Sequence, residues 1–185
     1  LAHIFLLTTI ITVLTHVLPY LSSIGIKRST SGILMMISAV FGITSRIAFG
    51  FAFDRLNKRI VTTAPFVILI LAMLCMAYGT ASNIGLVIIG LILFGISHGC
   101  NAILRVTQIR EIFGRKKFGS ILGLMTGMVV IVGMAGPPLA GWAFDNWQSY
   151  QSAWLLFAGF AFVSSISILT LPKQGEPSPI GEDSI

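Results

Sequence analysis

Six runs of about twenty or more mostly apolar residues follow one another along the chain, separated by short connectors. They are Ile4–Ile26, Gly32–Phe53, Val61–Thr80, Ile84–Ile109, Phe118–Phe144 and Ser152–Leu171. A helix of about 20 residues crosses a hydrocarbon core about 30 Å thick. In lipid every backbone N–H and C=O must find its partner within the protein, which leaves helices and closed barrels. Barrel strands would alternate in segments of about ten residues, and these runs do not alternate. The expected fold is therefore an all-α membrane protein of six transmembrane helices, with short connectors making neighbours antiparallel.

Charge supports lipid as the solvent. Only 10% of the 185 residues are charged and 55% are hydrophobic, whereas a soluble domain carries about 25% charged residues. Ten of the twelve Lys and Arg lie between the apolar runs or at their edges, and only Arg46 and Arg105 fall well inside them. The net charge of +6 does not indicate nucleic acid, which needs a solvated basic face. Cys75 and Cys100 sit in apolar stretches and make no disulfide framework. No metal-ligand spacing, phosphate-binding glycine loop or hydrolase nucleophile elbow occurs, so neither an enzyme nor a cofactor is expected.

The cations also orient the chain. Arg55, Lys58 and Arg59 follow the second run, and Arg110, Arg115, Lys116 and Lys117 follow the fourth. Lys173 follows the sixth. With alternating helices these eight positives share one side, against Lys27 and Arg28 on the other, which puts both ends of the segment in the cytoplasm of a cell-membrane protein. Residues 1–171 are expected to form the bundle. Residues 172–185, rich in Pro, Gly, Ser and acids, are expected to be a disordered cytoplasmic tail. The chain opens on Leu1 directly into an apolar run, as a piece of a larger protein would.

Local punctuation refines these helices. Pro19 is expected to kink the first and Pro137-Pro138 to bend or break the fifth. Ser29, Thr30 and Ser31 offer N-cap oxygens to the second, and Asn83 to the fourth. Glycines one turn apart predict close helix packing in lipid: Gly95 and Gly99, then Gly119, Gly123 and Gly127.

The second run ends Gly50-Phe-Ala-Phe-Asp54 and the fifth ends Gly141-Trp-Ala-Phe-Asp145. The same pattern closes the middle helix of each group of three, on opposite sides of the membrane. The six helices thus read as two inverted three-helix repeats, an arrangement nested in each half of major-facilitator carriers.

Two stretches carry a resemblance. Gly42-Ile-Thr-Ser-Arg46-Ile-Ala-Phe-Gly50-Phe-Ala-Phe-Asp54-Arg55-Leu-Asn-Lys58-Arg59 resembles the loop signature of the major facilitator superfamily, with Asn57 where a glycine is usual. Phe113-Gly114-Arg-Lys-Lys-Phe118-Gly119-Ser-Ile-Leu-Gly123 and Gly136-Pro-Pro-Leu-Ala-Gly141-Trp resemble the C-terminal half of its monocarboxylate-transporter-like branch, which includes oxalate/formate exchangers. The likeness extends to about Pro172. It implies one half of a twelve-helix carrier whose N-terminal six helices are missing from this chain. It also implies a small organic anion as substrate, with a proton or counter-anion as coupling partner. Gly42 stands one turn before Arg46, where animal carriers of this branch have an acid.

Among polar residues Arg46 is the leading substrate contact. Eight residues at about 1.5 Å each put it roughly 12 Å deeper than Asp54, where a charge is costly and faces a cavity or partner. Arg105, which could also snorkel, and His16 and His98, which could equally be packing residues, complete the expected substrate set. His3 lies near an end and suggests little. Gly50, Asp54, Arg55 and Arg59 are expected to gate, as the loop signature implies. The competing expectations are a carrier of another solute, such as a drug or sugar, and a transport-dead sensor with the same fold.

Overall fold

The computed structural model describes residues 2–169, without the side chains of residues 2, 54, 58, 111–113, 115–117, 168 and 169. The expected tail, residues 172–185, lies outside them. Every long element is helical: α1 (Ala2–Ser23), α2 (Arg28–Arg55), α3 (Lys58–Ala77), α4 (Ile84–Gly133), α5 (Gly136–Trp147) and α6 (Gln151–Leu169), with a short 3-10 turn at Ala81–Asn83. α4 is two arms that meet at Gly114, where φ is +68°. Only glycine adopts that conformation without strain. Counting those arms separately, and the second arm together with α5, recovers the six predicted crossings. Five helical stretches are long and apolar enough to cross a membrane, and the sixth, Gln151–Ser167, is shorter among the described residues.

Local details differ from expectation where lipid or backbone chemistry intervenes. α1 continues through Pro19 as one helix. The fifth crossing breaks ahead of its prolines, at residues 134–135. Pro137 has no N–H to bond the carbonyl four residues back, yet it suits the first turn of a new helix. Ser29, Thr30 and Ser31 do not cap α2. The helix starts at Arg28, with Lys27 at its N-cap, and the Ser31 hydroxyl donates back to the Lys27 carbonyl. Asn83 occupies the N-cap position of α4 without a side-chain bond. Asn57 does cap: its side-chain oxygen accepts from the Arg59 N–H at 3.0 Å and starts α3.

Packing follows the glycines. A Cβ on Gly95 would run into the Ser38 carbonyl, and one on Gly99 into the Gly42 carbonyl and the Ser45 hydroxyl. α2 and the first arm of α4 therefore touch backbone to backbone. The Ser45 hydroxyl lies 3.1 Å from the Ile96 carbonyl across that seam, which it can bond as donor. On the other side, a Cβ on Gly136 would strike Thr12 and Thr8, and one on Gly133 would strike Ile11. Gly119, Gly123 and Gly127 meet nothing within 4 Å. Inside these six helices the second close seam belongs to Gly133 and Gly136.

These two seams establish the inversion. Along the first, residues 38, 42 and 45 of α2 climb with 95 and 99 of α4, so the pair is parallel. Along the second, residues 11, 12 and 16 of α1 climb with 133, 136 and 141, also parallel. Each seam joins the first helix of one unit to the middle helix of the other, so the units run in opposite senses.

α1, α3, the first arm of α4 and α6 surround the main core, which holds Phe66, Leu69, Met73, Trp154 and Phe157. In the most apolar stretches of α1, α3 and Ala81–Arg110, half of the residues are buried. The share falls to 22% in α2 and 11% in Phe118–Trp147. The two open helices are thus the middle helices of the two repeats.

Candidate functional site

The polar side chains expected at one substrate site fall in three places. Arg46 projects from the open face of α2 into a cleft of about 410 Å³. Ile47, Gly50, Phe51 and Phe53 line it with Ile103 and Thr107 of α4. His98, on the first arm of α4, is close enough to feel the charge of Arg46 and packs its ring along Phe94, with centroids 6.1 Å apart. Asp145 is the one acid whose side chain is described, and it is exposed at the far end of α5. Asp54, the acid expected to gate, has its side chain outside the described residues. Arg55 and Arg59 are exposed at the adjoining α2–α3 turn. Arg46 is a cation within an apolar helix of membrane-crossing length, and it faces an open cleft.

His16 is elsewhere. Its Nε2 lies 3.0 Å from the Pro137 carbonyl, which can only accept, so that nitrogen carries the proton. Its Nδ1 is 3.4 Å from the Tyr150 hydroxyl. The imidazole ties α1 to the break ahead of α5, beside an aromatic group of Tyr20, Phe144, Tyr150 and Trp154. Tyr150 lies in the connector beyond α5, where burial foremost, and then the nearby Asp145 carboxylate, push its phenol above the usual tyrosine range.

Arg105 occupies the third place, on the face of α4 opposite Ile103 and Thr107. Its Nε is buried without a hydrogen-bond partner. On either side along the same face are Asn101 and Gln108, both buried, and both bond to His3 of α1. His3 Nδ1 is 3.0 Å from Asn101 Oδ1 and His3 Nε2 is 2.7 Å from Gln108 Oε1. Sequence reasoning passed over Asn101 and Gln108, although it named Arg105 and saw little in His3. The signal was present, because polar residues at 101, 105 and 108 in an apolar run share one helix face.

An all-helical bundle of membrane-crossing length in two inverted units defines a multi-pass membrane protein built on a carrier scaffold. The chain belongs to the Major Facilitator Superfamily, whose model matches residues 2–184. Among curated proteins it is similar to monocarboxylate transporter 12 of Rattus norvegicus, 29% identical over 161 residues, covering 85% of this chain and 33% of that protein. It is 28% identical to monocarboxylate transporter 12 of Homo sapiens over 159 residues, covering 83% and 30%. To monocarboxylate transporter 4 of Rattus norvegicus it is 25% identical over 155 residues, covering 83% and 33%. The chain spans about a third of the length of these relatives.

Proposed function

We propose that this chain is one half of a secondary carrier for a small, monocarboxylate-like organic anion, working by alternating access. Arg46 in its cleft is the observation that carries the reading. A planar guanidinium can grip a carboxylate through two charge-assisted hydrogen bonds. Held at depth without a described acid beside it, it offsets part of the anion's lost hydration. The relatives' names, all monocarboxylate transporters, point to the same substrate class.

The open faces of α2 and of residues 118–147 support a second set of six helices as the missing partner, with the substrate path between the halves. Carrier sites lie at repeat interfaces near the bilayer midplane. The exposed Gly123 and Gly127 would meet that partner. Arg55 and Arg59, with Gly50 and Asp54, would form the gating turn at the end of α2. His98 would stand in the field of the Arg46 cation, while His16 steadies the α5 break. The eight-to-two cation asymmetry supports a cell membrane with both ends of the segment, and the tail after residue 171, in the cytoplasm.

The test is uptake of labelled L-lactate and pyruvate by the full-length protein in proteoliposomes. Arg46→Lys keeps the charge and loses the fork, so affinity falls. Arg46→Ala nearly abolishes uptake while insertion and expression persist. Carboxylate uptake by Arg46→Ala with unchanged affinity and rate would refute the anion site.

A further inference from the structure

A second polar site lies away from the Arg46 cleft, between α1 and the first arm of α4. Asn101 and Gln108 present side-chain oxygens to the two ring nitrogens of His3. A neutral imidazole has one N–H and one bare nitrogen, so it cannot donate to both oxygens. The arrangement is satisfied in two ways. A doubly protonated ring donates to both amide oxygens, or a neutral ring donates to one and accepts from the other amide, turned to offer its NH₂. Rotation of one amide therefore exchanges the two protonation states without leaving a buried group unpaired, the condition that otherwise makes burial costly.

The surroundings suit a proton better than another cation. Arg105 stands on the same α4 face, one turn from each amide, and its cation repels a second positive charge at His3. A metal ion would meet the same repulsion, and no carboxylate among the described side chains stands there to offset it. From α3 the ring meets Phe66, centroids 5.9 Å apart, which carries no charge. The other histidines lack this equipment. His16 is committed to a backbone carbonyl, and His98 stands against Phe94 and the field of Arg46.

We propose that His3, held between Asn101 and Gln108 and opposed by Arg105, is the proton-binding site of this carrier. The inference rests on the carrier reading above and deepens it. When a proton arrives, it goes to the bare ring nitrogen and the facing amide turns its oxygen inward. When it leaves, the amide turns back.

The experiment uses the full-length protein in proteoliposomes loaded with a pH-sensitive dye. Two assays run side by side: carboxylate counterflow, which needs no net proton movement, and accumulation driven by an inward proton gradient. His3→Gln is expected to keep counterflow within about twofold while losing gradient-driven accumulation and the dye signal. Arg105→Gln, which removes the repelling charge, is expected to move the midpoint of the pH response upward. Retention of one proton per anion in His3→Gln overturns the proposal. If His3→Gln does not fold, ¹⁵N histidine spectra of the wild type decide. Segmental ¹⁵N labelling separates the three rings of this chain from the rest of the protein, His16→Gln and His98→Gln tell them apart, and a His3 ring that keeps one protonation state from pH 5 to 8 also overturns it. Absence of wild-type carboxylate counterflow would refute the anion reading instead, and the His3 spectra still decide the proton site.

Discussion

Gly99 is where a single methyl group tests the packing most sharply. The Cβ of Gly99→Ala would lie inside contact distance of both the Gly42 carbonyl and the Ser45 hydroxyl. A serine could rotate away, but a helix carbonyl cannot, so α2 and α4 must separate along their whole seam. Overpacking of this kind costs about 1–3 kcal/mol, and at about 2–4 °C per kcal/mol for a chain of this size the melting temperature falls by several degrees. Gly95→Ala meets the Ser38 backbone and belongs to the same class. Gly42→Ala is milder, since its Cβ would stand 3.1 Å from the Gly95 carbonyl, and a small adjustment relieves it. Gly127→Ala has open space around it and should cost nothing within this bundle. The assay is thermal unfolding in one detergent at one scan rate, followed by tryptophan fluorescence or size exclusion. The order expected is Gly99→Ala and Gly95→Ala lowest, then Gly42→Ala, then Gly127→Ala near wild type. A Gly99→Ala protein that melts at or above wild type would refute the backbone-to-backbone seam.

Four further outcomes are expected. Cysteines placed at Ser82 and Ser149 should react with an impermeant maleimide from outside intact cells, and one at Asn57 should not; the reverse pattern would overturn the orientation. Tyr20→Phe removes the 2.7 Å bond from its buried hydroxyl to the Met76 carbonyl and should cost about 1 kcal/mol; an unchanged melting temperature would argue against that bond. His16→Phe should lower stability by a similar amount through the Pro137 carbonyl it leaves unpaired, whereas Tyr150→Phe, which removes only a 3.4 Å contact, should barely register. Because the folded chain holds the Tyr150 phenol neutral above its usual range, that preference is fully present below about pH 10 and is lost as pH rises through its folded value. Alkaline unfolding should therefore begin later in Tyr150→Phe, and identical alkaline profiles would contradict the burial of that phenol.

Much of the architecture was legible in the one-dimensional pattern. Lipid demands an uninterrupted hydrogen-bonded helix of fixed minimum length, so the six crossings could be counted directly, and within the described residues their ends match the observed helices to within a few residues. The repeated Gly-aromatic-Ala-Phe-Asp segment gave the inversion for the same reason: equivalent helix ends must meet equivalent water interfaces. The deep position of Arg46 also followed from rise per residue alone, although its cleft did not.

What tertiary structure decided was which faces meet. Periodicity places Gly95, Gly99, Gly123 and Gly127 on helix stripes equally well, yet only the first two find a backbone against them, because close approach depends on the facing helix and not on the glycine. The expected substrate set of Arg46, His16, Arg105 and His98 was assembled by residue type. The fold separates it, since Ile103 and Arg105 on one helix point in nearly opposite directions. His3 shows the converse. Its place near one end of an apolar run said little, and its meaning came from Asn101 and Gln108, about a hundred residues away in sequence and brought within hydrogen-bond distance by the packing of α1 on α4. Length, hydropathy and charge are local and survive in the sequence. Hydrogen-bond partnership between helices is a property of their rotation about their own axes, and only the packed bundle sets that rotation.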